Sequence, residues 1–153
     1  FANNIPCVSV STLESMAYNF LSTDCIVCAV MDARCSQVYN ALFEIKNGVV
    51  TRFCDDRALS LDDLKNELLS VDGRIIIAGD GTDITCKYIG NEIKNAESAP
   101  VNLKYQRASS TALVAFEMIN NGQTVSAQEL MPVYLRLPQA QRELNKKLGG
   151  RTK

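Results

Sequence analysis

Cys25-Ile26-Val27-Cys28-Ala29-Val30-Met31 is the longest uninterrupted apolar run of the chain, and its reading decides the fold. Two cysteines stand three apart in it, with Cys35 close behind. Such a pair is either half of a thiol site or the interior of a sheet. A structural zinc site needs a second pair or histidines, and this sequence has no histidine and no second C-x-x-C. A thioredoxin-type pair lies where a strand hands over to a helix, so that the helix N-terminus stabilises a thiolate. Here both cysteines fall inside a seven-residue apolar stretch of strand length. In a strand, residues three apart point to opposite faces, so Cys25 and Cys28 are expected to diverge as small buried side chains. Free thiols are expected for all six cysteines, with no metal site.

Outward from that strand the pattern stays regular. Before it, Ile5 to Val10 is a short apolar run ending at Ser11-Thr12-Leu13-Glu14, a capping box. A helix is predicted from there to about Leu21, with Leu13, Met16, Ala17 and Phe20 on its buried face. After the strand comes the turn Asp32-Ala33-Arg34. Gln37 to Lys46 then alternates, placing Tyr39, Ala41, Phe43 and Ile45 on one side and Asn40 and Glu44 on a polar side. Asn47-Gly48 predicts a tight hairpin, because a type I′ turn needs positive φ at both central residues, and Val49 to Cys54 should pair back.

The grammar then alternates. Ser60 caps a helix carrying Leu61, Leu64 and Leu68, with Asp62 and Asp63 in its first turn. Arg74 to Ala78 is a short buried strand running into Gly79-Asp80-Gly81, and a helix follows over about Asp83 to Tyr88. Val101 to Tyr105, after Pro100, is expected to be an edge strand. Ser109 or Ser110 should cap a helix burying Ala112, Ala115, Phe116 and Ile119, stopped at Asn121-Gly122. Ser126 to Glu129 forms a second capping box that opens a single turn ended by Pro132. An antiparallel meander followed by alternating helices and strands predicts an α/β, ribonuclease-H-like lobe. The expected divisions are 1–22, 23–131 and an extended segment with a basic tail over 132–153.

At 153 residues and 46% apolar content, one globular unit is expected. The run at Cys25 is far below the roughly 20 residues needed to cross a bilayer, and no charged-then-apolar leader opens the chain, so a cytoplasmic location is expected. The absence of histidine excludes, within this chain, Ser-His-Asp triads, Cys-His dyads and His-based peptidase zinc motifs. Net charge is −1, yet Arg136, Arg142, Lys146, Lys147, Arg151 and Lys153 face Glu143 alone in the last eighteen residues.

Four places could carry function. Gly79, Asp80 and Gly81 lie where a strand hands over to a helix and could meet a phosphate, although a tight turn explains them equally. Asp32 and Arg34 could act in recognition or simply form a solvated ion pair. Tyr134 and Arg136, on one side of an extended segment, could dock on a partner or form an outer strand. Lys146, Lys147 and Arg151 could touch RNA phosphates, or solubilise the terminus.

Val8 to Glu14, Met31-Asp32-Ala33-Arg34 with Val38-Tyr39, Gly79-Asp80-Gly81, and Pro132-Val133-Tyr134-Leu135-Arg136 occur in an order and spacing that resembles the TsaB (YeaZ) family across nearly the whole chain. The resemblance implies one ribonuclease-H-like lobe of the two-lobe actin/hsp70-type fold. It further implies a non-catalytic role in threonylcarbamoylation of tRNA adenosine 37, beside a metal-bearing TsaD-like partner and a TsaE-like ATPase. The glycoprotease-like label once attached to the family fits poorly, because the TsaD metal site rests on histidines. The family's opening I-D-T-S-like strand and its G-P-G-S-F-T-G-like loop have no counterpart here, and the chain opens on Phe1. A second lobe with the end of the first is therefore expected, one that keeps its fold and loses part of its assembly surface. Asp32, Arg34, Tyr39, Tyr134 and Arg136 are the interaction candidates. Contact with tRNA is expected only through the complex, and a homodimer is a further option. No cofactor is expected in this chain, ATP or ADP being reserved for the cleft between lobes of an intact protein. The segment after Tyr134 is expected to be mobile, or borrowed by a neighbouring chain.

Overall fold

The computed structural model describes residues 5–136. In chain order it contains α1 (Thr12–Ala17), a 3₁₀ turn over Tyr18–Phe20, β1 (Cys25–Asp32), β2 (Gln37–Lys46), β3 (Val49–Arg52), β4 (Arg57–Ser60), α2 (Leu61–Leu68), β5 (Ile75–Ala78), α3 (Thr82–Ile89), β6 (Ala96–Ser98), α4 (Val101–Lys104) and α5 (Ala108–Asn120). The strands form one mixed sheet in the order β3-β2-β1-β5-β6, with β4 also on β2. β1 pairs antiparallel with β2 and parallel with β5. The α/β, ribonuclease-H-like arrangement read from the sequence is the one observed.

β1 is central because both of its faces are covered. Cys25, Val27 and Ala29 point to a core built with Leu13, Met16, Ala17 and Phe20 of the first helical segment. Ile26, Cys28 and Val30 point to the opposite core, with Leu61, Leu64 and Leu68 of α2 and Ile89 of α3. Cys25 and Cys28 thus lie in different layers, and all six thiols are free. Burial pushes the Cys25 thiol up and the Cys28 thiol, fully enclosed, much further. A neutral thiol in an apolar layer is neither a nucleophile nor a metal ligand.

The caps and turns follow the sequence. Ser11 accepts the Glu14 N–H at 3.2 Å and Ser60 the Asp63 N–H at 3.1 Å. Asn47 and Gly48 take φ of 51° and 75°. The box at Ser11 is one-armed, because the Glu14 carboxylate turns instead to Arg52 at 2.7 Å. The box at Ser126 closes on both arms, at 3.0 and 3.3 Å.

Four expectations need correcting. The return strand is split: β3 pairs with the end of β2, and β4 pairs with its beginning, Gln37 opposite Ser60. A ten-residue β2 offers more edge than one short strand covers. The side of β2 holding Asn40 is not a solvated face, since α2 covers it and Asn40 is fully buried. Its amide donates to Ala29 and Ala41 carbonyls, and its oxygen accepts from Arg57 at 3.1 Å, so burial leaves no orphan. Val101–Lys104 is a helical turn and not an edge strand: Pro100 precedes it, and the Leu103 N–H reaches the Pro100 carbonyl at 2.8 Å. The parallel edge is taken upstream by β6, with Ile75 opposite Ala96.

The fourth correction concerns α5. Arg107, not Ser109 or Ser110, stands at its N-cap, and no side chain caps it. Ser110 is buried and donates to Asn19 at 2.6 Å. The helix packs on α1 and the 3₁₀ turn through Ser110 and Val114, with Thr111, Ala115 and Met118 half-buried. Tyr18 reinforces the contact, its hydroxyl donating to Glu117 at 2.6 Å. Ala112, Phe116 and Ile119 of the expected face are exposed, Phe116 at 63%. An α-helix that is apolar nearly all round offers two faces, and α1 takes the other one.

Candidate functional site

The parallel pairing of β1 and β5, Ala29 opposite Ala78, puts their carboxyl ends side by side. Two features that read as separate in the sequence therefore meet. The Asp80 carboxylate accepts the N–H of Asp32 at 3.1 Å. Asp32 in turn accepts the Arg34 N–H at 2.7 Å, an Asx-type turn. Its ion pair with the Arg34 side chain is loose, 3.6 Å with the guanidinium 86% exposed, and an exposed pair of this kind contributes little.

The Gly79-Asp80-Gly81 turn has a packing explanation. Gly79 has φ of 115°, and a Cβ there would stand 1.9 Å from the Val30 carbonyl oxygen. Only glycine allows β5 to hand over to α3 while pressed against β1. Both glycine amides of the turn and the next one are engaged internally: Gly79 N–H with the Lys104 carbonyl, Gly81 N–H with that of Val30, and Thr82 N–H with that of Gly79. The buried Thr82 hydroxyl closes the helix start on Gly79 at 2.7 Å.

Three of the five interaction candidates line one groove, and Asp32 and Arg34 do not. Tyr39, Tyr134 and Arg136 line a space of about 540 Å³ together with Ser11, Met31, Asp56 and Pro132. Its wall is set by the ingoing chain before α1 and the outgoing chain after Met131. These run close to each other, and a two-bond bridge joins Cys7 and Val125 at 2.8 Å. Arg136 donates to the Ala33 carbonyl in the β1–β2 loop. Tyr134 is exposed, and Tyr39 is half-buried.

Sequence reading missed a polar cluster that adjoins this groove through Asp56 and Ser11 of its lining. Arg52 bridges Asp56 at 2.6 Å and Glu14 at 2.7 Å, and its guanidinium lies 4.7 Å over the Phe43 ring. Asp56 also accepts from Ser11 at 2.5 Å. No local signal marks Arg52 and Asp56, since the split between β3 and β4 is what turns them inward. Among the described residues no group of three His, Cys, Asp or Glu side chains gathers to hold a metal. No helix there is long and apolar enough to cross a membrane. Lys146, Lys147 and Arg151 lie outside the described residues, as does most of the segment expected to move after Tyr134.

A central buried strand flanked by an antiparallel meander and a parallel βα unit, with the glycine turn at the carboxyl end, defines an α/β, ribonuclease-H-like lobe. The comparisons agree. The chain is 27% identical over 139 residues to the tRNA threonylcarbamoyladenosine biosynthesis protein TsaB of Bacillus subtilis (strain 168), spanning 90% of this chain and 59% of that protein. It superposes on YeaZ from Pseudomonas aeruginosa with a TM-score of 0.67 at 20% identity, covering 88% of this chain and 62% of that one. A second crystal structure, of an uncharacterized protein with similarity to peptidase YEAZ from Pseudomonas aeruginosa, gives 0.68 at 21%, covering 89% and 62%. No family model matches. The chain is thus TsaB/YeaZ-like through its described fold, and it spans about three fifths of the length of these relatives.

Proposed function

We propose that the chain works in threonylcarbamoyladenosine formation on tRNA as a non-catalytic partner lobe, offering a surface to TsaD-like and TsaE-like proteins and running no reaction itself. The observation that carries this is the likeness to TsaB, 27% identity over 139 residues. The groove supports it as a place where chain segments meet: its lining includes Tyr39, Tyr134, Met31 and Arg136, of types enriched where proteins dock. In this reading 1–22 and 132–153 are the crossings to a first lobe, and 23–131 is the body of the second.

Two rivals are weaker. A phosphate at Gly79 to Gly81 would find those amides engaged and two carboxylates, Asp32 and Asp80, at the same turn. A glycoprotease-type peptidase would need a metal set that a chain without histidine would have to build from carboxylates and thiols alone.

The test is reconstitution: TsaD, TsaE, tRNA, ATP and a preformed, activated threonylcarbamoyl donor (the adenylate), with this chain or a full-length TsaB added. This chain alone should give no product, no metal-dependent proteolysis and no saturable heat with ATP. Pull-down on TsaD should retain it more weakly than the full-length relative. No capture and no effect on the modification yield would remove the partner reading, and nucleotide binding by this chain would favour the first rival.

A further inference from the structure

Arg34, Cys35 and Ser36 hold φ of 63°, 54° and 56°, three consecutive residues in the left-handed region with no glycine among them. In that region each Cβ crowds the following carbonyl, so such a loop persists only where its surroundings over-determine it. Four of its supports come from the body of the fold. Asp80 takes the Asp32 N–H, Leu61 donates to the Ser36 carbonyl at 3.1 Å, Gln37 donates to Arg34 at 3.1 Å, and Ala33 donates to Gln37 at 3.0 Å. The fifth comes from far along the chain, from Arg136 onto the Ala33 carbonyl.

Among the described residues, the segment carrying Arg136 has little else to hold it. Met131, Val133 and Tyr134 are 69%, 77% and 84% exposed, and only Leu135 and Arg136 are half-buried. The bond therefore serves both partners: it fixes a strained loop, and it seats residues 132–136 as one wall of the groove. We infer that Arg136 is a latch, coupling the left-handed β1–β2 loop to the closure of the groove by the segment Pro132 to Arg136. Release of the guanidinium frees the loop to leave its left-handed conformation, and the segment lifts from Met31, Tyr39 and Asp56. Because the coupling is thermodynamic it is reciprocal, so anything that displaces the segment also loosens the loop.

Hydrogen exchange on the whole chain tests this, with wild type, Arg136→Gln and Arg136→Lys compared. One charge-assisted hydrogen bond removed should speed exchange of the Ala33 and Gln37 amides about tenfold in Arg136→Gln, with Arg136→Lys between. Amides of β1 and β5 should not change. A second background, Cys35→Gly with Ser36→Gly, relieves the loop, and there the Arg136→Gln effect should shrink to about twofold. Equal loop exchange in wild type and Arg136→Gln overturns the latch, as does an equal acceleration across β1, which would mean a global loss of stability. An undiminished effect in the glycine background overturns the coupling to loop strain.

Discussion

The two faces of the sheet are closed in different ways. On one, α2 and α3 lay Leu61, Leu64, Leu68 and Ile89 against Ile26, Cys28, Val30, Ile75 and Ile77. The outer side of α2 is charged: its Glu67 pairs with Arg57 at 2.6 Å and its Lys65 with Glu92 at 2.7 Å. On the other, the short α1 covers the sheet and α5 lies over α1, leaving Leu113, Phe116 and Ile119 facing outward. The first face is finished by amphipathic helices. The second ends in an apolar surface, which is what periodicity cannot resolve: a helix with one apolar stripe declares its buried side, and a helix with two does not.

The largest effect should come from the finished face. Leu64→Ala removes a fully buried side chain from the α2 layer and should cost about 3 kcal/mol, read from the urea midpoint at constant m-value. Met16→Ala on the opposite face should cost a similar amount. A Met16 loss well under half that of Leu64 would break the picture of two equally dry inner layers.

Alkali should distinguish the layers next. Burial raises the Cys28 thiol far above its ordinary value of 9.0, so the folded state favours the neutral form. That stability is complete below the ordinary thiol value and drains as pH rises beyond it, by about 1.4 kcal/mol per pH unit, or about 2 kcal/mol near pH 10.5. Tyr18, raised by burial and its bond to Glu117, adds to the loss from about pH 10 upward with the same sign. Cys28→Ala should flatten the first part of the profile, and an unchanged slope would show that the thiol of the α2 layer is not the group responsible.

Val114→Ala acts where α5 meets α1 and should cost about 1.5 kcal/mol by the same measurement. The smallest stability effect should be at Phe116, whose change to Gln should stay within about 0.5 kcal/mol while lowering any concentration-dependent association seen by sedimentation. A large Phe116 loss with a silent Val114 would reverse the assignment of the two α5 faces.

Much of this was legible beforehand because it depends on near neighbours in sequence. The opposed cysteines follow from a two-residue period, the Asn47-Gly48 hairpin from φ, and the caps at Ser11 and Ser60 from orphan amides. The α2 face followed from leucines at one helical spacing. Val101 to Tyr105 failed because alternation over five residues fits a strand and a helical turn alike, and the local Pro100 bond decided it. Alternation puts Asn40 on a polar side without showing that this side is covered, because its burial depends on α2, about twenty residues later. At the candidate site Tyr39, Tyr134 and Arg136 were singled out one by one, but their common groove was not visible, nor was the adjoining pair of Arg52 and Asp56.

By itself the sequence determined most of the elements but not β4, β6 or α4, together with the hairpin, the sheet-interior role of β1 and the likeness to TsaB, because short-range sterics and hydrophobic period act within one element at a time. Only the tertiary structure decided which side of α5 is buried, that Asp32 and Asp80 meet, and that Arg136 reaches Ala33. Each of those depends on parallel pairing or on a crossing between segments as much as 103 residues apart, where the deciding energy is contact between surfaces and leaves no periodic trace in either stretch.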